Sequence, residues 1–161
     1  MRLNPILLFP LLLWSYAVTA QDKINISASI DIATKTIDIN ERIVYKNNSN
    51  DTLATIYLND WNNAYATKNT PLAKRFTEEF NDKFHFAKSK QRGYTVITGI
   101  KNHLEQPLTY SNLKEFPDVV EVQLQYPLLP QQSYDISLNY EVVLPDDNFT
   151  GYGISDTKGV F

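Results

Sequence analysis

His85 and His103 are the two histidines of the chain, and neither an H-E-x-x-H nor an H-x-H pattern surrounds them. A zinc site needs about three protein ligands within tetrahedral reach, and alternation through Phe84, His85 and Phe86 would turn the imidazole outward. No metal-ligand set can be named. Glu78 and Glu79 are neighbours, so on a helix their carboxylates diverge by about 100° and cannot work as acid and base on one substrate. They read as solvated side chains. "PDDNFTGYG" (Pro145 to Gly153) gathers oxygens and glycines in the manner of a calcium loop but lacks the closing glutamate, so it reads as an ordinary loop. Neither G-x-S-x-G nor a phosphate-binding glycine loop occurs, and no nucleophile and base pair stands out. The expectation is no catalytic residue and no metal site in this chain.

Aromatic residues offer a different chemistry. Trp61, Tyr65 and Tyr94 could form a stacking platform for sugar rings. Aromatics more often serve a core, and packing an inserted helix onto a sheet is the preferred role for these three. Four N-x-S/T sequons, at Asn25, Asn47, Asn50 and Asn148, would matter in a eukaryotic secretory chain and are read here as coincidence in an asparagine-rich sequence.

The elements that must position these residues are mostly strands. Ile24, Ile26, Ala28 and Ile30 share one face of a first strand, and Ile37, Ile39, Ile43 and Tyr45 share a face of the second, across the short polar connection "DIATKT". "KNNSNDT" is a run of turn formers, followed by the strand Leu53 to Leu58. Later strands place Tyr94, Val96 and Ile100 on one face, then Val120, Val122, Leu124 and Tyr126. The longest alternation runs through Tyr134, Ile136, Leu138, Tyr140, Val142 and Leu144. One-sided antiparallel strands need a second layer, so the expected fold is all-β, an antiparallel β-sandwich with one short inserted helix at about residues 71–82. Thr70 is the expected N-cap and Pro71 the first helical residue, while Leu72, Phe76 and Phe80 form a stripe facing the sheet. Glu79 would then stand one turn before Lys83.

Residues 1–20 read as a secretory signal peptide: Arg2, then an apolar run from Ile6 to Trp14 too short to span a bilayer, then small residues before a cut preceding Gln21. Removing them takes away one charge, Arg2, and leaves 14 basic against 18 acidic residues. Residues 21–161 make one domain, able to bury about two thirds of its surface. Basic residues are scattered, which argues against nucleic acid as a partner, and no later segment is apolar enough for a membrane span. Cysteine is absent, which excludes disulfides, thiolate metal sites, a cysteine nucleophile and a lipidated N-terminal cysteine. An exported, disulfide-free chain fits a bacterial periplasmic or secreted address.

Two segments, "LNDWNNAYATKNTPLAKRF" and "FHFAKSKQRGYTVITGI", are together distinctive. The chain resembles the N-terminal domain of exported bacterial members of the aminopeptidase N family, the gluzincin zinc metallopeptidases. The likeness extends to "IDINERIVYKNNSNDTLATIYL" and to "VVEVQLQYPLLPQQSYDISLNYEVVLP" before "FTGYG", and so spans about Lys23 to Phe161. It implies a non-catalytic β-sandwich that packs against a following catalytic domain of the same polypeptide. In that domain H-E-x-x-H and a distant glutamate hold zinc, G-x-M-E-N binds the substrate's amine, and peptides lose N-terminal residues. None of those motifs occurs here, so no family site residue is carried over, and zinc belongs to the full-length protein. The domain is expected to be incomplete at its C-terminus, leaving an unpaired edge and an exposed apolar patch. The alternative from a different class is a free-standing exported β-sandwich that binds peptide or glycan through the Trp61, Tyr65 and Tyr94 region.

Overall fold

A computed structural model describes residues 23–146, 149, 153–155 and 159–160. The leader segment, Asn148 and most of the "PDDNFTGYG" loop lie outside the described residues. Among those described, no helix is long and apolar enough to cross a membrane.

Alternation of apolar and polar residues builds most of the larger sheet. β1 (Lys23–Asp31) pairs antiparallel with β2 (Thr36–Lys46). The Asp31 carboxylate closes the turn between them by accepting from the amides of Ala33 (2.8 Å) and Thr34 (3.3 Å). β2 pairs along its whole length with β7 (Ser133–Val143), whose other edge pairs with β4 (Tyr94–Asn102), giving the order β1-β2-β7-β4. A second antiparallel sheet carries β3 (Leu53–Asn59), β6 (Val119–Leu128) and β5 (Tyr110–Asn112) in the order β3-β6-β5. A small hairpin of β8 (Ile154–Ser155) and β9 (Gly159–Val160) follows. The fold is all-β and sandwich-like, as the periodicity predicts.

Cross-strand register sorts the inner face of the larger sheet into rows. One row reads Ile24, Ile43, Ile136, Asn102 across the four strands; the next reads Ile26, Glu41, Leu138, Ile100; a third reads Ala28, Ile39, Tyr140, Ile97. Burial falls along each row toward β1. Ile136, Leu138 and Ile100 join Ile56, Leu108, Val120 and Val122 in the main core, Ile39 and Ile43 are half-buried, and Ile24, Ile26 and Ile30 are 55%, 60% and 56% exposed. β5 lies toward β4, where the Tyr110 hydroxyl donates to the Ile97 carbonyl (3.0 Å). The three-stranded sheet therefore covers β7 and β4, and the larger sheet overhangs it as a ledge of β1 and β2.

Two irregularities change faces that simple alternation assigns. A bulge between Ile97 and Gly99 on β4 puts Ile97 and Ile100 both inward, although they are three residues apart, and leaves Tyr94 and Val96 exposed on the other face. A register shift between β3 and β6, with Leu53 opposite Leu128 but Thr55 opposite Gln123, buries Leu128 and exposes Tyr126. The buried Asn47 then ties four segments together. Its Nδ2 donates to the carbonyls of Asp51 (2.8 Å) and Leu128 (3.1 Å), its Oδ1 accepts from the Ser49 amide (3.1 Å), and its own amide donates to the Gln132 carbonyl (2.9 Å).

The inserted segment holds two short helices instead of one. A 3₁₀ turn (Trp61–Tyr65) precedes α1 (Pro71–Glu78), and α2 (Asp82–Phe86) follows. Thr70 is the N-cap: its Oγ1 accepts from the Ala73 amide (3.1 Å) and donates to the Ala64 carbonyl (2.6 Å), joining the helix to the 3₁₀ turn. α1 ends in a Schellman motif, in which Asn81 N donates to the Phe76 carbonyl (2.8 Å) and Phe80 N to Thr77 (3.1 Å). Phe80 sits in the left-handed region (φ 56°) and is 92% exposed, so it leaves the stripe. Glu79 pairs backward with Arg75 (2.8 Å), because the helix stops before Lys83. Leu72 and Phe76 turn onto a separate core of Ala64, Tyr65, Ala73, Phe84, Ala87 and Phe149, not onto the main sheet. Phe84 is its hub, with ring centroids 5.2 Å from Phe149, 5.6 Å from Phe76 and 6.1 Å from Tyr65.

Phe84→Ala will lower stability by about 3–5 kcal/mol in urea unfolding, because the removed ring leaves a cavity at the hub. Phe80→Gly will raise it by roughly 0.5–1 kcal/mol, since glycine relieves the left-handed strain and no buried contact is lost.

Candidate functional site

A groove of about 480 Å³ runs along the step where the ledge meets the edge of β3. Its floor is apolar: Ile24, Ile39, Ile43, Leu138 and Val142 from the larger sheet, with Leu58 and Val120 from the smaller one. Two carboxylates line it, Glu41 and Asp60, and none of the lining residues is a lysine, arginine or histidine.

Glu41 reaches the groove through strand phase. Ile37, Ile39, Ile43 and Tyr45 occupy the odd positions of β2, and position 41 is the one place where that inward run carries a charge. Its Oε2 accepts from the Tyr140 hydroxyl (2.8 Å), the cross-sheet neighbour one row on. Burial raises the Tyr140 phenol above its ordinary value, and the charges of Glu41 and Asp60 add to the effect. The hydroxyl therefore stays protonated and donating.

Asp60 is placed by the residues around the 3₁₀ turn. Its Oδ1 accepts from Thr95 Oγ1 (2.6 Å) and its Oδ2 from Asn63 Nδ2 (2.7 Å), while Asn63 Oδ1 accepts from the Thr95 amide (3.0 Å). Beside it, Asn62 Nδ2 donates to the Val143 carbonyl (3.2 Å). Gly93 allows this approach, since a Cβ there would lie 2.5 Å from Asn62 Oδ1 and 2.6 Å from Pro145 Cδ. Burial raises the Asp60 pKa, and the Asp118 charge adds to it, against the opposing hydrogen bonds from Thr95 and Asn63.

The three aromatic candidates separate. Trp61 lies at the groove and is 54% exposed, with its ring edge-on to Tyr65 at 6.2 Å. Tyr65 is 3% exposed and belongs to the helical core. Tyr94 projects from the face of β4 opposite Thr95, which lines the groove. The structure thus brings only Trp61 to the groove. His85 and His103 are both exposed and neither lines the groove, and among the described residues no three His, Cys, Asp or Glu side chains group as metal ligands. No sequence motif marks Glu41 or Asp60. The break in the apolar run at position 41 is the signal that could have found the first; nothing local in the sequence marks the second.

No family model and no curated protein matches the chain. Among solved structures, it is similar to an M1 zinc metallopeptidase mutant from Deinococcus radiodurans bound to a Tyr-Ser-Ala substrate, with 11% identity and a TM-score of 0.47, over 83% of this chain and 21% of that one. A second structure, of an M1 zinc metallopeptidase mutant from the same organism, is similar with 11% identity and a TM-score of 0.46, over 75% of this chain and 20% of that one. The chain spans about a fifth of the length of these structures.

Because the folded-state pKa of Asp60 is raised, the folded chain holds a proton that the unfolded chain releases in the window just above the usual aspartate range. The residue's contribution to stability is full below its unfolded pKa and is lost as pH rises through the folded value. Urea midpoints of the wild type relative to Asp60→Asn will therefore increase as pH falls from 7 toward 4, and a carboxyl ¹³C titration will place Asp60 above ordinary aspartates.

Proposed function

We propose that this chain is the non-catalytic N-terminal β-sandwich part of an exported, zinc-dependent aminopeptidase-like metallopeptidase. Zinc and peptide hydrolysis then belong to a catalytic domain of the same polypeptide, and the sandwich helps to wall the substrate cavity. The observation that carries this reading is the ledge, where Ile24, Ile26 and Ile30 present a continuous apolar face without cover among the described residues. Exposed faces of this kind mark surfaces that pack against further protein. The distinctive segment around Trp61 to Phe76 supports the choice of family.

A second reading, an exported β-sandwich module that binds peptide or glycan, is favoured by the half-exposed Trp61 ring at an apolar groove. The coding sequence beyond Phe161 separates the two: H-E-x-x-H and G-x-M-E-N downstream support the metallopeptidase, and a stop codon overturns it. On the first reading, the purified chain releases no N-terminal residue from aminoacyl-amide substrates with or without added zinc. Zinc-dependent release by this chain alone would overturn that assignment.

A further inference from the structure

The groove combines three features that one kind of ligand would satisfy. The first is a free backbone edge. Asp60 N donates to the Asp118 carbonyl (2.7 Å), so by antiparallel alternation Leu58 and Ile56 also face β6. The backbone groups of Thr55, Tyr57 and Asn59 consequently point away from β6, and among the described residues no strand pairs with that edge. The second is a floor of apolar rows at strand spacing, with Ile43, Glu41 and Ile39 following one another on β2. The third is charge: two carboxylates and no base.

A strand added to β3 would extend the smaller sheet over the ledge, with its inward side chains at positions i−2, i and i+2 landing on successive rows. The side chain above Glu41 would face a carboxylate in an otherwise apolar setting, and that position calls for a cation.

We propose that the groove binds an extended peptide of pattern apolar-x-basic-x-apolar, paired backbone to backbone with the outer edge of β3 and with its Lys or Arg side chain on Glu41. Binding of this kind draws affinity from main-chain hydrogen bonds and specificity from alternate side chains. Asp60, fixed by Thr95 and Asn63 at the end of β3, adds a second negative charge without having to move. The Trp61 ring at the rim is placed to report occupancy by its fluorescence. The proposal deepens the binding-module reading and needs no catalytic domain.

The test uses the full chain with Trp14→Phe, so that Trp61 is its one tryptophan, and a synthetic heptapeptide, acetyl-Thr-Val-Thr-Lys-Thr-Val-Thr-amide, followed by Trp61 fluorescence and by amide chemical shifts. Expected are saturable binding, shifts concentrated at Thr55, Tyr57 and Asn59, and about tenfold weaker binding when the peptide's Lys is replaced by norleucine or when Glu41→Gln is used. The norleucine peptide keeps the test valid whatever the variant does to folding. Equal affinity for the Lys and norleucine peptides, or shifts on the outer edge of β1 in place of β3, would overturn the proposal. Failure of the peptide together with Trp61-dependent binding of an oligosaccharide such as chitotetraose would overturn it and leave the module reading standing. Failure of both ligands would remove both.

Discussion

Everything in this molecule follows from a mismatch of widths: a four-stranded sheet is covered by a three-stranded one. β7 is an interior strand of the larger sheet, paired on both edges, and its inward residues Ile136 and Leu138 are buried in the main core. Moving from β7 toward β1, each row loses cover, from buried Ile136 through half-buried Ile43 to exposed Ile24. Apolar burial contributes about 25 cal/mol per Å², so the stabilisation is concentrated on β7, β4 and β6. The β1–β2 hairpin rests mainly on its backbone ladder. The groove is the corner left by the same mismatch.

The helical insert is a second centre of order, tied to the sheet strand β4 through polar contacts. Its own core gathers around Phe84 and takes in Phe149 from the segment after β7. What aligns it with β4 is the set Asp60, Asn62, Asn63 and Thr95, together with the close approach at Gly93. Hydrogen bonds fix direction more narrowly than apolar contact does, and so this joint can hold one carboxylate at a defined place on the groove wall. The cost of that placement appears in the raised Asp60 pKa.

The legibility of the sequence varied with the kind of signal. Period two located β2 and β7, since no bulge interrupts their pairing, and Thr70 with Pro71 marked the start of α1 because N-capping is a local matter. Alternation misassigned Tyr94 and Tyr126, because bulges depend on the partner strand and leave no trace in the strand's own pattern. The end of α1 was missed for a different reason: a left-handed terminus is usually announced by glycine or asparagine, and here it carries Phe80. Trp61, Tyr65 and Tyr94 looked equivalent in sequence and diverged in space, one at the groove, one in the helical core and one on the far face of β4. Glu41 is a single charge in an apolar run and belongs to no motif. That β1 would stay uncovered was also beyond local reading, as its alternation is as regular as that of β7.

Asn47 also sets a limit on covalent modification of this chain. It heads the sequon Asn47-Asn48-Ser49, yet its side-chain amide is fully buried and already spends its hydrogens on the carbonyls of Asp51 and Leu128. Oligosaccharyl transfer in a eukaryotic secretory pathway acts on that same nitrogen while the chain is still unfolded, and a glycan there has no volume to occupy once β2, β6 and the connection between β6 and β7 close around it. Sugar attachment and folding at this residue are thus mutually exclusive. The native state carries Asn47 bare, with its side-chain amide enclosed.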